Sequence, residues 1–214
     1  MTCISGAVIN GELCIGGDAV SVMYDSHVRL NAEGKVFRLG EFIIGTSGTT
    51  RVRQVISHLY EPPAIEGDLA AYMVRQFIPG LRELMKEHGG EIETDSKTVE
   101  IDGHCLIGVR GKLFCIDGGY GLFQPRLPYA AIGCAAQEAL AAMYTAYSLL
   151  DAPLAEDIVN RGLLAAAEFD TSVRPPFTVL TQVATAQSEW TVERVASNGS
   201  KPALNLPVRS QTPR

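Results

Sequence analysis

Helical periodicity occurs in this chain only in two paired blocks, and every other patterned segment reads as strand. Residues 49–60 place Val52, Val55, Ile56 and Leu59 on one face. A second helix is predicted over 67–88. Asp68 stands near its start, Leu69, Met73, Phe77 and Leu81 repeat about every four residues, and Gly89-Gly90 closes it. Pro79-Gly80 should kink or split that helix. The second block holds alanine-rich helices over about 134–149 and 153–168, separated by Asp151 and Pro153. Helices that come in pairs, and do not alternate singly with strands, disfavour a doubly wound parallel sheet. Two antiparallel sheets covered by helix pairs fit the order better.

The strands follow from short apolar runs and turn residues. Residues 3–9 and 12–16 flank Asn10-Gly11, the strongest two-residue hairpin signal. Gly16-Gly17-Asp18 is expected to break the second strand, with extended structure resuming at Ala19-Val20-Ser21-Val22. Val36–Leu39 and Phe42–Gly45 form a further pair turning at Gly40-Glu41. After a polar loop or frayed strand over 91–98, strands are expected at 99–109 and 112–117, joined at Arg110-Gly111, and at Tyr129–Gly133. Residues 118–127 read as an irregular loop. The last strands are Phe177–Val183 and Glu189–Val195. This gives a single domain over 1–196 and a flexible tail over 197–214, where three prolines and Asn198-Gly199 gather.

Composition narrows the function. In 214 residues, 46% hydrophobic content is enough for a sizeable core. A net charge of -6 argues against a nucleic-acid partner held through phosphates. No apolar run approaches the roughly 20 residues needed to cross a bilayer. The first residues lack the basic flank and apolar stretch of a secretory signal, so a cytoplasmic location is expected. The five cysteines form no CxxC pair and read as reduced thiols, Cys14, Cys105 and Cys115 lying inside apolar runs. The four histidines have no ligand spacing, and no metal or organic cofactor is expected. No phosphate-binding GxxxxGK[ST] loop occurs.

Thr2 directly follows Met1. Removal of that methionine would leave a residue carrying both a hydroxyl and a free α-amine, a nucleophile with its own base. Cys3 would lack the terminal amine after the same trimming and is rejected as nucleophile.

Four local patterns, in order, resemble the N-terminal-nucleophile hydrolases of the proteasome β-subunit and bacterial HslV peptidase family. They are Met1-Thr2 ahead of a strand and tight hairpin, Gly16-Gly17-Asp18, Gly34-Lys35-Val36-Phe37-Arg38-Leu39, and Ile43-Ile44-Gly45-Thr46-Ser47-Gly48-Thr49-Thr50. Asp18 lies at the family's distance from the threonine, and Lys35 lies one residue further than the family's lysine. Ala131-Ile132-Gly133-Cys134, opening an alanine-rich helix, is a weaker fifth match.

The resemblance implies an α+β fold, a four-layer α-β-β-α sandwich of two antiparallel sheets flanked by helix pairs. It implies a threonine-type peptidase with Thr2 as nucleophile, Asp18 and Lys35 beside it, and Gly45 offering its amide to the oxyanion. Cys134 stands where the family commonly has serine. Asp170 is the favoured aspartate in Glu168-Phe169-Asp170-Thr171-Ser172. Val20, Ile43 and Ser47 would lie near the side chain before the cut, with Ser21 and Val22 on the substrate-facing strand. Peptide or unfolded protein substrate, a homo-oligomeric ring and an ATP-dependent unfoldase partner are implied as well. The same resemblance is compatible with a non-catalytic ring subunit and with an amidase of small amides.

Overall fold

The computed structural model describes residues 2–23, 27–30, 33–184 and 190–197. The expected tail beyond residue 197 lies outside them.

Strands β1 (Cys3–Ile9) and β2 (Glu12–Asp18) form the first hairpin. Asn10 and Gly11 both take positive φ, 51° and 81°, so the turn twists with the strands. β2 does not break at Gly16-Gly17 but runs through Asp18. The glycines are pinned by pairing on both sides, to β1 and to β13 (Phe177–Ala184). The space of their missing side chains is taken by Val159 and Leu163 over Gly16, and by Ile4 over Gly17. With β12 (Tyr129–Gly133) and β14 (Trp190–Ser197) the first sheet has the order β12-β1-β2-β13-β14.

The second sheet has the order β11-β10-β9-β6-β5. It comprises β5 (Val36–Leu39), β6 (Phe42–Gly48), β9 (Gly103–Val109), β10 (Lys112–Ile116) and the short β11 (Leu122–Phe123), which forms inside the expected loop. The strand expected over 99–109 is interrupted at Asp102. Its first part, β8 (Val99–Ile101), turns away to pair with β7 (Glu91–Glu93). β3 (Val20–Met23) and β4 (His27–Leu30) make a separate two-stranded sheet.

Three cores fill the three gaps of a four-layer sandwich. Alternation along each strand sends one set of side chains inward and the other outward. Inward residues Ile4, Leu13, Ile15, Ile43, Leu106 and Leu180 meet between the sheets. Outward residues of the second sheet, including Phe42, Ile44, Ile107 and Phe114, pack against the first helix group. That group comprises α1 (Thr50–Leu59), α2 (Leu69–Tyr72) and α3 (Ile78–His88). Outward residues of the first sheet, including Ala7, Cys14 and Val179, pack against α4 (Ala136–Leu149) and α5 (Ala155–Phe169).

Two helix details explain the boundaries. The Asp68 carboxylate accepts a hydrogen bond from the Ala71 amide at 2.9 Å and so caps α2. Met73–Phe77 is a π-helical turn between α2 and α3, immediately before Pro79. Pro79 has no N–H, and its ring would collide with the carbonyl four residues back. The wider turn absorbs that conflict, so the expected long helix continues across it.

Gly45 faces inward, and a Cβ there would overlap Ile4 Cγ2. A Gly45→Ala substitution is therefore expected to cost about 1–3 kcal/mol of stability through overpacking. Urea denaturation checks this: an unchanged midpoint would mean that the two sheets separate freely at that point. Among the described residues, no helix is long and apolar enough to cross a membrane.

Candidate active site

The site forms where β1 begins. Its neighbours in the sheet are the ends of β12 and β2, since Cys3 stands opposite Gly133 and Ile4 opposite Gly17. Antiparallel pairing thus brings residues 2, 18 and 134 together from three distant parts of the sequence.

Asp18 is fully buried and Lys35 is only 8% exposed. Their ion pair is 2.8 Å long. The same carboxylate accepts hydrogen bonds from the Cys3 amide and the Val20 amide, both at 3.0 Å. A buried carboxylate with a cation and two amides is well satisfied, which such a charge requires. It also ties the first residues of β1 to the start of β3. Thr2 itself is 3% exposed.

On the β12 side, the Thr2 nitrogen donates to the Cys134 sulfur at 3.2 Å. The thiol also lies 3.4 Å from the Thr2 carbonyl oxygen, 3.4 Å from Asp170 Oδ2 and 3.7 Å from the Ser172 hydroxyl. One S–H proton can serve only one acceptor at a time, and a thiol donates weakly. Gly133 makes the approach possible. Its φ is +103°, and a Cβ there would run into the Thr2 carbonyl.

Asp170 receives the Ser172 hydroxyl at 2.5 Å and the Ser172 amide at 2.8 Å. The Ser172 hydroxyl is the main reason its carboxyl is held below the usual 3.8. Partial burial opposes this, and the Ser172 amide and the Cys134 thiol add to the lowering. A folded pKa below the unfolded one contributes stability that is present above the unfolded value. That stability is lost as pH falls through the folded value. Stability is accordingly expected to decline below about pH 4, and less steeply in Asp170→Asn. Denaturation midpoints of the two proteins across that range check it, and parallel curves would refute it.

The remaining thiols are buried and free. Burial pushes Cys3 up to about 12, despite a contact with the Ser5 hydroxyl that lowers it. Cys105 and Cys115 are likewise pushed up to about 12 by burial, and Cys14 is pushed up for the same reason. Cys3 is thus a protonated core thiol, in keeping with its rejection as nucleophile.

A cavity of about 430 Å³ opens beside Thr2. Ser47, Gly48, His104, Gly133 and Cys134 help to line it. The structure brings Thr2, Asp18, Lys35, Cys134 and Asp170 to one end of the sandwich and places other candidate residues away from the cavity. Gly45 does not reach the cavity. It pairs with Val36 and Leu106 in mid-sheet and packs on Ile4. Gly48, three residues on, lines the cavity instead. Ile43 is fully buried in the inter-sheet core and Val20 is 1% exposed, so neither presents a pocket wall. Ser47 does line the cavity. Ser21 is half-buried on β3. The Val22 backbone belongs to that strand, and its side chain lies outside the described residues.

Sequence reading missed Gly48 and His104. Gly48 belongs to the glycine segment that ends β6, where only Gly45 had an assigned role. His104 carried no signal, because its place at the cavity arises from pairing opposite Ser47 across β6 and β9.

No protein-family model matches the chain, and no curated protein matches it in sequence. Solved structures do. "Thiobacillus denitrificans BPH" superposes with a TM-score of 0.70 at 21% identity, covering 86% of this chain and 100% of that one. The same protein in complex with epoxomicin gives 0.69 at 20% identity, with the same coverage. Eukaryotic HslV from Trypanosoma brucei gives 0.59 at 20% identity, covering 84% of this chain and 98% of that one. Four layers, two antiparallel sheets and near-complete coverage of these structures identify the fold as that of the proteasome- and HslV-type N-terminal-nucleophile hydrolases.

Proposed function

We propose that the chain is a threonine-type peptidase subunit that cleaves peptide bonds with Thr2 once Met1 has been removed. The observation that carries this reading is the buried Asp18–Lys35 pair, joined by hydrogen bond to the amide of Cys3, the residue next to Thr2. A buried ammonium is costly to a fold, and the charge it offers beside a nucleophile is the best explanation for its place here.

In this mechanism the Thr2 hydroxyl oxygen attacks the scissile carbonyl carbon. Its proton passes to the Thr2 α-amine, directly or through a water. The Lys35 ammonium favours the proton's departure. The tetrahedral oxyanion is met by the Gly48 backbone at the cavity wall, a role moved here from Gly45. Collapse breaks the C–N bond, and the leaving amine takes the proton. An ester on Thr2 remains. Water, deprotonated by the same α-amine, hydrolyses it and restores the hydroxyl. Cys134 and Asp170 position the amine, with Cys134 doing so less firmly than a hydroxyl would.

Substrate adds as an extended strand along β3, which pairs with β4 on one edge only among the described residues. Peptides and unfolded protein segments fit that mode. The subunit works in the cytoplasm, within a homo-oligomeric ring served by an ATP-driven unfoldase. Support for the ring is the outer face of α4, where Leu140, Tyr144 and Tyr147 stand exposed one and two turns apart.

Intact-mass measurement with and without a threonine-directed β-lactone tests the proposal. The expected result is loss of methionine and one adduct, mapped to Thr2. Retained methionine and no adduct would overturn the peptidase reading in favour of a structural ring subunit.

A further inference from the structure

Thr2 has different surroundings on its two flanks. On the β2 flank, the Asp18 carboxylate holds the Val20 amide, and β3 starts there with one edge unpaired among the described residues. On the β12 flank lies the cavity, built from Gly133 and Cys134 together with Ser47, Gly48 and His104 of the second sheet. Neither Val20 nor Ser21 lines it. A peptide that runs along β3 and crosses Thr2 must continue toward the β12 flank. With the acyl side of the peptide held on β3, as the peptidase reading has it, the cavity receives the residue on the leaving-amine side of the scissile bond.

The chemistry of its wall is specific. His104 is exposed and contributes the only imidazole among the described lining residues. It offers a ring N–H as donor, and the Ser47 hydroxyl stands opposite it on the neighbouring strand. No aspartate or glutamate is among those lining residues. Near the cavity stand the Lys35 ammonium, paired with Asp18, and, after processing, the Thr2 amine, while the Asp170 carboxylate behind Cys134 is held by the Ser172 hydroxyl and amide. This wall favours a side chain ending in a hydrogen-bond acceptor and disfavours an ammonium.

We propose that His104 is a specificity-determining residue, selecting an acidic or amide side chain (Glu, Asp, Gln or Asn) at the position directly after the cut. The inference rests on the peptidase reading of Thr2. The cavity volume is ample for such a side chain and part of the residue beyond it.

The test uses internally quenched peptides identical before the cut and differing only in the residue after it: Glu, Gln, Leu or Lys. The wild-type protein is expected to turn over the Glu and Gln peptides about tenfold better in kcat/KM than the Leu and Lys peptides. His104→Ala should bring the Glu-to-Leu ratio below about threefold, and His104→Glu should move the preference to Lys. The ratio within each protein is the readout, so a general loss of rate does not imitate the effect. In parallel, wild-type protein is treated with a peptide epoxyketone and the adduct on Thr2 is mapped by mass. Labelling and cleavage with the same residue preference in all three proteins overturn the role of His104 alone. A wild-type protein that neither labels nor cleaves overturns it together with the peptidase reading.

Discussion

Removing the Lys35 ammonium in a Lys35→Met variant is expected to lower the unfolding free energy by about 3–5 kcal/mol, together with any peptidase activity. The cause is the group left behind. Asp18 is completely buried and retains the Cys3 and Val20 amides as its partners. Two amides stabilise a carboxylate, but they carry no net charge to offset its desolvation. The variant must either bury an uncompensated anion or take up a proton, and both cost stability. The test is a double-mutant cycle by urea denaturation, using Lys35→Met, Asp18→Asn and the pair. The double variant should be more stable than the sum of the single effects predicts, because neither charge is then left alone. Strict additivity would show that the ion pair is not coupled and would remove the main support for its proposed role. A stable double variant also separates fold from chemistry, since it should remain inactive toward peptides.

Legibility in the sequence tracked the range of the interactions involved. Hairpins set by Asn10-Gly11 and Arg110-Gly111 are local, and both formed where expected. The four long helical patterns also formed, because an amphipathic face is a local pattern that any apolar sheet can cover. Gly16-Gly17 misled for the opposite reason. In isolation two glycines favour a break, whereas here strands on both sides hold them extended, and Val159, Leu163 and Ile4 fill the missing volume. No local signal distinguishes a glycine that bends a strand from one that admits a neighbour. The site divides in the same way. Asp18 and Lys35 were legible from their spacing to Thr2 by resemblance. Gly45 and Gly48 share one motif, and only the sheet register decides which reaches the cavity. Ile43 and Val20 were expected at a pocket by resemblance, but their apolar side chains are buried in the core. His104 was illegible because it reaches the cavity through pairing opposite Ser47, a residue far away in the sequence.

The Thr2→Ala variant is expected to lose activity on peptides by a factor on the order of 10^4 or more, with methionine removal still favoured by the small side chain. The substitution takes away the hydroxyl and leaves the α-amine, the Asp18–Lys35 pair and the Cys134–Asp170–Ser172 cluster in place. The covalent route is therefore lost, while binding and the charge arrangement remain. Thr2→Ser is the informative companion, since it keeps the hydroxyl and removes only a methyl group. Measurable turnover in Thr2→Ser beside none in Thr2→Ala isolates the oxygen as the group that matters, and it does so without reference to ring assembly. The contrary result is equally specific. Cys134 is the exposed thiol within reach of the same cavity, 3.4 Å from a carboxylate oxygen. Turnover that survives Thr2→Ala and disappears in Cys134→Ala would transfer the nucleophile from the first strand to the end of β12. The Asp18–Lys35 pair would then serve folding alone.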